Sequence, residues 1–292
     1  MFVSIKNHNA HLFEHNKITD PTATIIIIPG AGMDHRMGLM INLENLYSNF
    51  NIFSIDLPGH GFTSGPIQNS IESLSIFCQS VISKLEFKNI ILIGHSMGGL
   101  VALDISSKIN NALTILMNTN YPLEVGGLLL HHAKNDLEQA CEFLTKYGVF
   151  NIPNTEIKAR IFGSLGSGFY KRSGADIQSP YGTKNILEDP QREVNLYNLK
   201  KIFNQVCKEI LFYDLNACSL YRNQNTDSIS GIKFIYGAKD KLARFNPDNE
   251  LHRNFKEEDF VIMEDTGHFP YFEMPKELSN ILENFVTSSY EK

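Results

Sequence analysis

The chain has 292 residues, of which 42% are hydrophobic and 20% are charged, and its net charge is −6. This length is enough for one large α/β domain, or for a core domain with an inserted lobe. The sequence contains no block of like charges and no basic stripe, which argues against a nucleic-acid-binding protein and against attraction to anionic membranes.

The N-terminal segment (residues 1–17) has no continuous apolar stretch, because His8, His11 and His15 interrupt it. The longest apolar runs, such as residues 25–28, are too short to cross a bilayer. We therefore expect no signal peptide, no membrane span and a cytoplasmic protein.

The four cysteines are widely spaced and form no Cys-x-x-Cys pair, so buried reduced thiols are expected: Cys78, Cys141, Cys207 and Cys218. The adjacent His131 and His132 lack a third ligand at helical spacing. The sequence therefore predicts no metal and no cofactor.

Short apolar runs alternate with amphipathic stretches, which is typical of a parallel sheet covered by helices. The predicted strands lie within residues 24–30, 51–61, 89–96, 113–118, 232–240 and 259–265. The predicted helices span residues 38–49, 70–85, 97–108 and 275–288. The expected fold class is α/β, with a mostly parallel, doubly wound sheet.

The alternation stops between residues 119 and 230, where the pattern becomes mostly helical around a Gly/Ser-rich piece at residues 163–182. An insertion of this length is too long for a loop. We predict a core formed by residues 1–118 and 231–292, and a helical cap formed by residues 119–230 over the carboxyl edge of the sheet. The Gly/Ser-rich piece is either a lid element or an ordered crossover.

The stretch Gly94-His95-Ser96-Met97-Gly98 follows a buried-type strand and opens a helix. In this context a Gly-x-Ser-x-Gly pattern indicates a nucleophile held in a strained turn, with small residues on both sides to avoid clashes. A tight packing turn is the alternative. We favour Ser96 as a nucleophile.

A serine hydroxyl needs a base to remove its proton, and the base needs an orienting carboxylate. His268 lies in a loop between the last predicted strand and the last predicted helix, and Asp240 follows the preceding strand. Asp265 is a rival acid, but a residue so close in sequence to His268 seldom points at it correctly. The predicted triad is Ser96, Asp240 and His268.

At these positions the chain resembles the α/β-hydrolase superfamily, as a capped member similar to serine esterases. Four motifs carry the resemblance, in order: Asp56-Leu57-Pro58-Gly59-His60-Gly61, Gly94-His95-Ser96-Met97-Gly98-Gly99, Gly237-Ala238-Lys239-Asp240, and Gly267-His268-Phe269-Pro270 with Glu273-Met274-Pro275. They cover the predicted sheet from about residue 24 to 289, whereas residues 119–230 match no specific motif.

The resemblance also implies an oxyanion hole made by two backbone N–H groups. One is expected from Met97, the residue after the nucleophile. The other matches Ala31, in the loop after the first predicted strand. Pro29 stands where the family usually has histidine, which leaves the amide at Ala31 unaffected.

Other polar residues are interpreted as structural. We expect Asp34 and His35 to cap a loop or lie at the surface, and Asp104 to be a solvated helical residue. His60 and His95 are expected to pack or hydrogen-bond beside the site.

The expected function is hydrolysis of a small-molecule carboxylic ester or thioester, carrier-linked substrates included. Carbon–carbon bond hydrolysis and cofactor-free perhydrolysis on the same triad stay open. A ligand-binding receptor with little turnover is the alternative from another class. The apolar residues of the predicted cap, such as Phe143 and Phe162, fit either a pocket for an apolar acyl group or the cap's own core. Lys171 and Arg172 are interpreted as a solvated loop, with contact to an anionic group of the substrate, such as a phosphopantetheine carrier or a free carboxylate, as the alternative.

Overall fold

The structure is a computed structural model, and it describes residues 1–109, 113–154, 190–205, 208–222 and 231–290. Its described strands form one sheet in the order β1-β2-β4-β3-β5-β6-β7-β8. The strands are β1 (Phe2–Ile5), β2 (His8–Asn16), β3 (Ala23–Ile28), β4 (Phe50–Ile55), β5 (Ile90–His95), β6 (Leu113–Met117), β7 (Ile232–Gly237) and β8 (Phe260–Met263).

The sheet is parallel from β4 through β3, β5, β6 and β7 to β8, whereas β1 and β2 pair antiparallel at one edge. The central strands are buried along their whole length, as expected for parallel strands covered on both faces. Separate apolar clusters lie around Ile27 and Ile93 and around Ile26 and Leu92, because successive strand residues point to opposite faces. The predicted α/β fold class is confirmed.

Helices connect and cover the strands. They are α1 (Arg36–Leu39), α2 (Ile71–Lys84), α3 (Met97–Ser106), α4 (Gly127–Asn135), α5 (Leu137–Gly148), α6 (Pro190–Phe203), α7 (Lys208–Leu220), α8 (Pro270–Glu273) and α9 (Pro275–Ser288). None of the described helices has the length and apolar character needed to cross a bilayer.

The segment between β6 and β7 contains α4, α5, α6 and α7 among its described residues. The Gly/Ser-rich piece at 163–182, with Lys171 and Arg172, lies outside the described residues, as does Phe162. The division into a core and a helical cap at residues 119–230 stays a prediction.

Two expectations from the sequence differ from the structure. The helix predicted at residues 38–49 is wrong, because α1 ends at Leu39 and only a short 3-10 turn follows at Glu44–Leu46. The Asn42 side chain accepts a hydrogen bond from the Glu44 amide at 3.1 Å, which favours a turn over continued helix. Strands β1 and β2 are not among the predicted strands, because β1 has only four residues and the sequence of β2 is too polar to show a clear apolar run.

Candidate active site

Ser96 lies at the corner between β5 and α3, with φ 51° and ψ −117°. A non-glycine residue rarely adopts a positive φ, and such strain concentrates at functional sites. The two flanking glycines permit this corner. A Cβ on Gly94 would collide with the backbone of Gly98, and a Cβ on Gly98 would collide with the carbonyl oxygens of Ile28 and Pro29. The turn therefore depends on close backbone approach on both sides of Ser96.

His268 and Asp240 form a direct contact. Nδ1 of His268 lies 2.7 Å from Oδ2 of Asp240, and both side chains are buried. A hydrogen bond at Nδ1 leaves Nε2 of the neutral imidazole as the acceptor, which is the tautomer a general base requires. The rival acid Asp265 is exposed at the surface.

Further donors hold the Asp240 carboxylate in place. Its Oδ1 accepts from the amides of Leu242 and Ala243 at 2.7 and 3.0 Å, and its Oδ2 accepts from Nδ2 of Asn118 at 2.7 Å. Burial alone would raise the pKa of Asp240, but His268 and these donors outweigh it, so the pKa is lowered. Asp240 is therefore poised to stay ionised beside His268.

Asn118 belongs to the site but to none of the sequence motifs. It lies directly after β6, and its Nδ2 also donates to the carbonyl oxygen of Gly267 at 3.2 Å. Asn118 thus joins the acid to the histidine loop. A polar residue at the carboxyl end of a parallel strand is a signal that could have identified it.

Glu273 is a buried carboxylate that supports the loop around His268. It accepts from the amides of Gly267 and Phe269, each at 3.0 Å, and so binds the backbone on both sides of His268. It also accepts from the amides of Phe150 and Asn151, just beyond α5, at 2.8 and 2.7 Å. Burial raises the pKa of Glu273, against the opposing effect of these four amides.

His95 precedes Ser96 and contacts the histidine loop from β5. Its Nε2 donates to the carbonyl oxygen of His268 at 2.7 Å, and the two imidazole rings lie 4.9 Å apart. Nδ1 of His95 is buried and accepts no hydrogen bond from the described residues. Burial, and secondarily the charge of His268, lower the pKa of His95 to about 3, which keeps this ring neutral.

The two predicted oxyanion donors flank the same corner. Met97 is the first residue of α3, where the amide has no partner within the helix. Ala31 lies in the loop after β3, and Gly98 packs against the start of that loop at Pro29. Neither amide donates to another residue in the part of the chain that the structure describes.

The structure brings Asp240 and His268 into contact and places Ser96 next to His95, which contacts the His268 loop. Within the described residues, Ser96 Oγ makes no hydrogen bond to His268. Apo active sites often show such loose geometry between nucleophile and base.

One structural interpretation from the sequence is wrong. Asp104 is buried rather than solvated, because it pairs with Lys108 and accepts from the Tyr221 hydroxyl at 3.1 Å. For Asp34 and His35 the sequence left loop capping and surface exposure open. Both residues are buried, and Asp34 caps its loop, since its Oδ1 accepts from the Arg36 amide at 3.0 Å.

One cluster of described residues has ligand types that suit a metal ion: His11, His35 and Asp56, whose ligand atoms lie within 4.8 Å of one another. Hydrogen bonding already accounts for this arrangement. Nδ1 of His11 lies 2.7 Å from Asp56 Oδ2, and Nδ1 of His35 lies 2.9 Å from Oδ1. The amides of His35 and Phe62 also donate to the carboxylate. Asp56 therefore acts as an acceptor that fixes the surrounding loops.

The cysteines that the structure describes, Cys78, Cys141 and Cys218, are buried free thiols. Cys207 lies outside the described residues.

Comparison with known proteins identifies the family and supports the fold. The family model described as "Alpha/beta hydrolase family" matches residues 25–281, and the chain belongs to this family. The AB hydrolase superfamily protein YisY of Bacillus subtilis is 22% identical over 272 residues, which are 90% of this chain and 91% of that protein.

Solved structures show the same fold. An enol-lactonase from Burkholderia xenovorans superimposes with a TM-score of 0.73 at 15% identity, covering 98% of this chain and 100% of that one. An esterase from Exiguobacterium antarcticum gives a TM-score of 0.72 at 14% identity, covering 98% of each chain.

Proposed function

We propose that this protein is a serine hydrolase that cleaves a small carboxylic ester or thioester through an acyl-enzyme on Ser96. One observation supports the proposal: the strained Ser96 directly follows His95, whose ring donates to the backbone carbonyl of His268, and Nδ1 of His268 lies 2.7 Å from the buried Asp240 carboxylate. The names of the structural neighbours, an enol-lactonase and an esterase, are consistent with ester chemistry.

In the proposed reaction, Ser96 Oγ attacks the acyl carbon while Nε2 of His268 takes the hydroxyl proton. The carbonyl oxygen becomes an oxyanion that accepts hydrogen bonds from the amides of Ala31 and Met97. His268 then returns the proton to the departing alcohol or thiol. Water next attacks the acyl-enzyme, giving one proton to His268, and collapse of the second intermediate returns that proton to Ser96.

Each neighbouring group has a role in this scheme. Asp240 holds His268 in the required tautomer and stabilises the imidazolium that forms. Asn118, Glu273 and His95 are positioning residues, because they bind the acid or the backbone of the histidine loop and do not touch the reacting atoms.

The test combines a covalent probe with a substrate series. A fluorophosphonate probe should label the wild-type chain and fail to label Ser96→Ala. Ser289→Ala is the matched control, because Ser289 is an exposed serine far along the chain at the end of α9. Labelling of Ser96→Ala equal to the wild type would contradict the nucleophile.

The substrate class is identified by measuring the hydrolysis of a series of substrates, because probe labelling reports only the nucleophile. p-Nitrophenyl esters of increasing acyl length, run beside acyl-thioesters of the same acyl groups, should be hydrolysed by the wild type and not by Ser96→Ala. Preference for one series identifies the leaving group. Absence of turnover with every member, together with absence of probe labelling, would overturn the proposed function.

A further inference from the structure

A buried carboxylate of α7 connects the helical segment to two loops of the sheet. Asp214 is 2% exposed, and its Oδ2 accepts from the amide of Gly32 at 2.9 Å. The same oxygen lies 2.8 Å from Nε2 of His60, which is 1% exposed. Gly32 directly follows Ala31, the proposed oxyanion donor. Asp214 is therefore bonded one residue away from the proposed oxyanion hole.

The two hydrogen-bond partners of His60 indicate that its imidazole is protonated. Nε2 faces the Asp214 carboxylate, and Nδ1 lies 3.2 Å from the carbonyl oxygen of Pro58. A neutral imidazole has one N–H and can donate from only one nitrogen, whereas both nitrogens of His60 face acceptors. Both hydrogen bonds form together when the ring is an imidazolium. Burial alone would lower the pKa of His60, but the charge and hydrogen bond of Asp214 outweigh it and the pKa is raised.

We propose that His60 and Asp214 form a buried imidazolium–carboxylate pair that positions the oxyanion loop (residues 29–35) for ester hydrolysis. This inference rests on the proposed function. The pair, called here the α7 clamp, makes His60 and Asp214 positioning residues.

The loop is held from two directions. On one side Asp214 accepts from the Gly32 amide, and on the other Asp56 Oδ1 accepts from the His35 amide at 2.7 Å. These bonds fix the backbone around Ala31 while leaving its own amide without an acceptor among the described residues. A donor that is fixed before the reaction needs no reorganisation when the oxyanion forms.

An apolar contact beside the ion pair also holds α7 against the loop that carries His60. Ile210 precedes Asp214 by four residues on α7, so both side chains lie on one face of the helix. Gly59 lies against Ile210, and a Cβ at Gly59, where φ is +86°, would collide with Ile210 Cδ1. The same face of α7 thus contacts the loop that carries His60 through an apolar contact and an ion pair.

The kinetic test uses Asp214→Asn, which keeps the size of the side chain and removes its charge. We expect kcat on a p-nitrophenyl ester to fall about 10- to 100-fold with little change in KM, because displacement of an oxyanion donor affects the transition state more than the ground state. Affinity for a trifluoromethyl ketone should fall by a similar factor, since the oxygen of its adduct occupies the oxyanion hole.

A double-mutant cycle tests whether the two residues act as one unit. His60→Gln should lower kcat to a similar extent, and the double variant should lose no more than about threefold beyond either single variant. Tyr221→Phe is the matched control, because it removes a different bond between the end of α7 and the core, from the Tyr221 hydroxyl to Asp104. It should keep kcat within about twofold.

A spectroscopic measurement is independent of activity. Nitrogen-15 NMR of the wild-type chain at pH 8 should show both ring nitrogens of His60 protonated, with the signals assigned by their loss in His60→Gln. This result stands even where Asp214→Asn fails to fold, in which case His60→Gln supplies the kinetic comparison.

The outcomes are distinguishable. A neutral His60 ring at pH 8, or unchanged kcat and ketone affinity in Asp214→Asn, would overturn the α7 clamp. If the kcat losses of the two single variants multiply in the double variant, His60 and Asp214 do not act as one unit. A wild-type chain without hydrolase activity but with a doubly protonated His60 would overturn the proposed function and the clamp's role in hydrolysis, while the ion pair itself would stand.

Discussion

The imidazole of His95 donates from Nε2 to the carbonyl oxygen of His268 at 2.7 Å, so the residue before the candidate nucleophile supports the loop of the candidate base. The ring is fully buried and its pKa is lowered from 6.5 to about 3, chiefly by burial. His95 therefore has to stay neutral in the folded chain.

This burial predicts a loss of stability in acid. Because the pKa of His95 is lower in the folded chain than in the unfolded chain, the unfolded chain binds one more proton between pH 6.5 and about 3. The free energy of unfolding should thus fall as the pH drops through this range, by up to about 1.4 kcal/mol per pH unit from this group. Urea unfolding at several pH values measures the slope.

The variant His95→Gln retains a donor for the His268 carbonyl and removes the titrating ring. Between pH 6 and 4, the free energy of unfolding of this variant should change less steeply with pH than that of the wild type. The difference in slope should correspond to about one bound proton, or about 1.4 kcal/mol per pH unit. An identical slope in the two chains would show that His95 does not titrate in this way.

The choice of orienting acid predicts a sharp difference between two aspartates. Asp240→Asn should lower kcat by about 10³- to 10⁴-fold, because an amide cannot hold His268 in the required tautomer. Asp265→Asn should leave kcat unchanged, since Asp265 is exposed. Steady-state hydrolysis of a p-nitrophenyl ester by both variants, with circular dichroism to check folding, measures the difference. The reverse order would reassign the acid.

The contacts of Glu273 predict a structural effect. Glu273→Gln replaces one acceptor oxygen with an amide group, which leaves at least one of the four backbone donors unpaired, and two of these donors, the amides of Gly267 and Phe269, are buried. We expect the free energy of unfolding to fall by about 1–3 kcal/mol. Kcat should fall as well, because the amides on both sides of His268 lose support.

Glu277→Gln is the control for this change, because Glu277 is exposed in the first turn of α9. It should change the free energy of unfolding by less than about 0.5 kcal/mol. Equal effects of the two substitutions in denaturant titrations would show that the Glu273 contacts add nothing.

The tight corner at Ser96 predicts that alanine substitutions at two different glycines will change the free energy of unfolding very differently. Gly98→Ala should lower the free energy of unfolding by more than about 2 kcal/mol, because the new Cβ meets the backbone oxygens of Ile28 and Pro29, which cannot rotate away. Gly127→Ala, at the exposed start of α4 with no atom within 4 Å of the new Cβ, should be neutral or stabilising by up to about 1 kcal/mol. Thermal unfolding of both variants measures this, and a neutral Gly98→Ala would contradict the close approach.

Features of the fold and candidate site that depend on short contiguous stretches were predictable from sequence. The strand and helix around Ser96 follow from an apolar run, two glycines and a helical pattern. The sequence also suggested Asp240 rather than Asp265, and their positions in the structure agree with that preference. The assignment of Ser96, Asp240 and His268 as catalytic, with Ala31 and Met97 as oxyanion donors, stays a prediction, as do the cytoplasmic location and the cap boundaries.

Features that depend on distant pairs were not predictable. Asp214 and His60 are 154 positions apart, and no spacing rule connects them. Asp104 has the sequence context of a surface residue, yet the Tyr221 hydroxyl, 117 positions away, accounts for its buried carboxylate. Strand β2 forms because it pairs with β1 on one side and with β4 on the other, and this tertiary pairing outweighs its polar sequence.

The segment between β6 and β7 is a poor unit for domain grafting. Gly148, the last residue of α5, accepts a hydrogen bond from the His268 amide, and Phe150 and Asn151 donate to Glu273. A chimera that replaced these helices with those of another hydrolase, to import a new specificity, would also remove supports of the histidine loop. Grafts that retain residues 148–151 and the Asp214 face of α7 should keep a working framework while the remaining positions are varied.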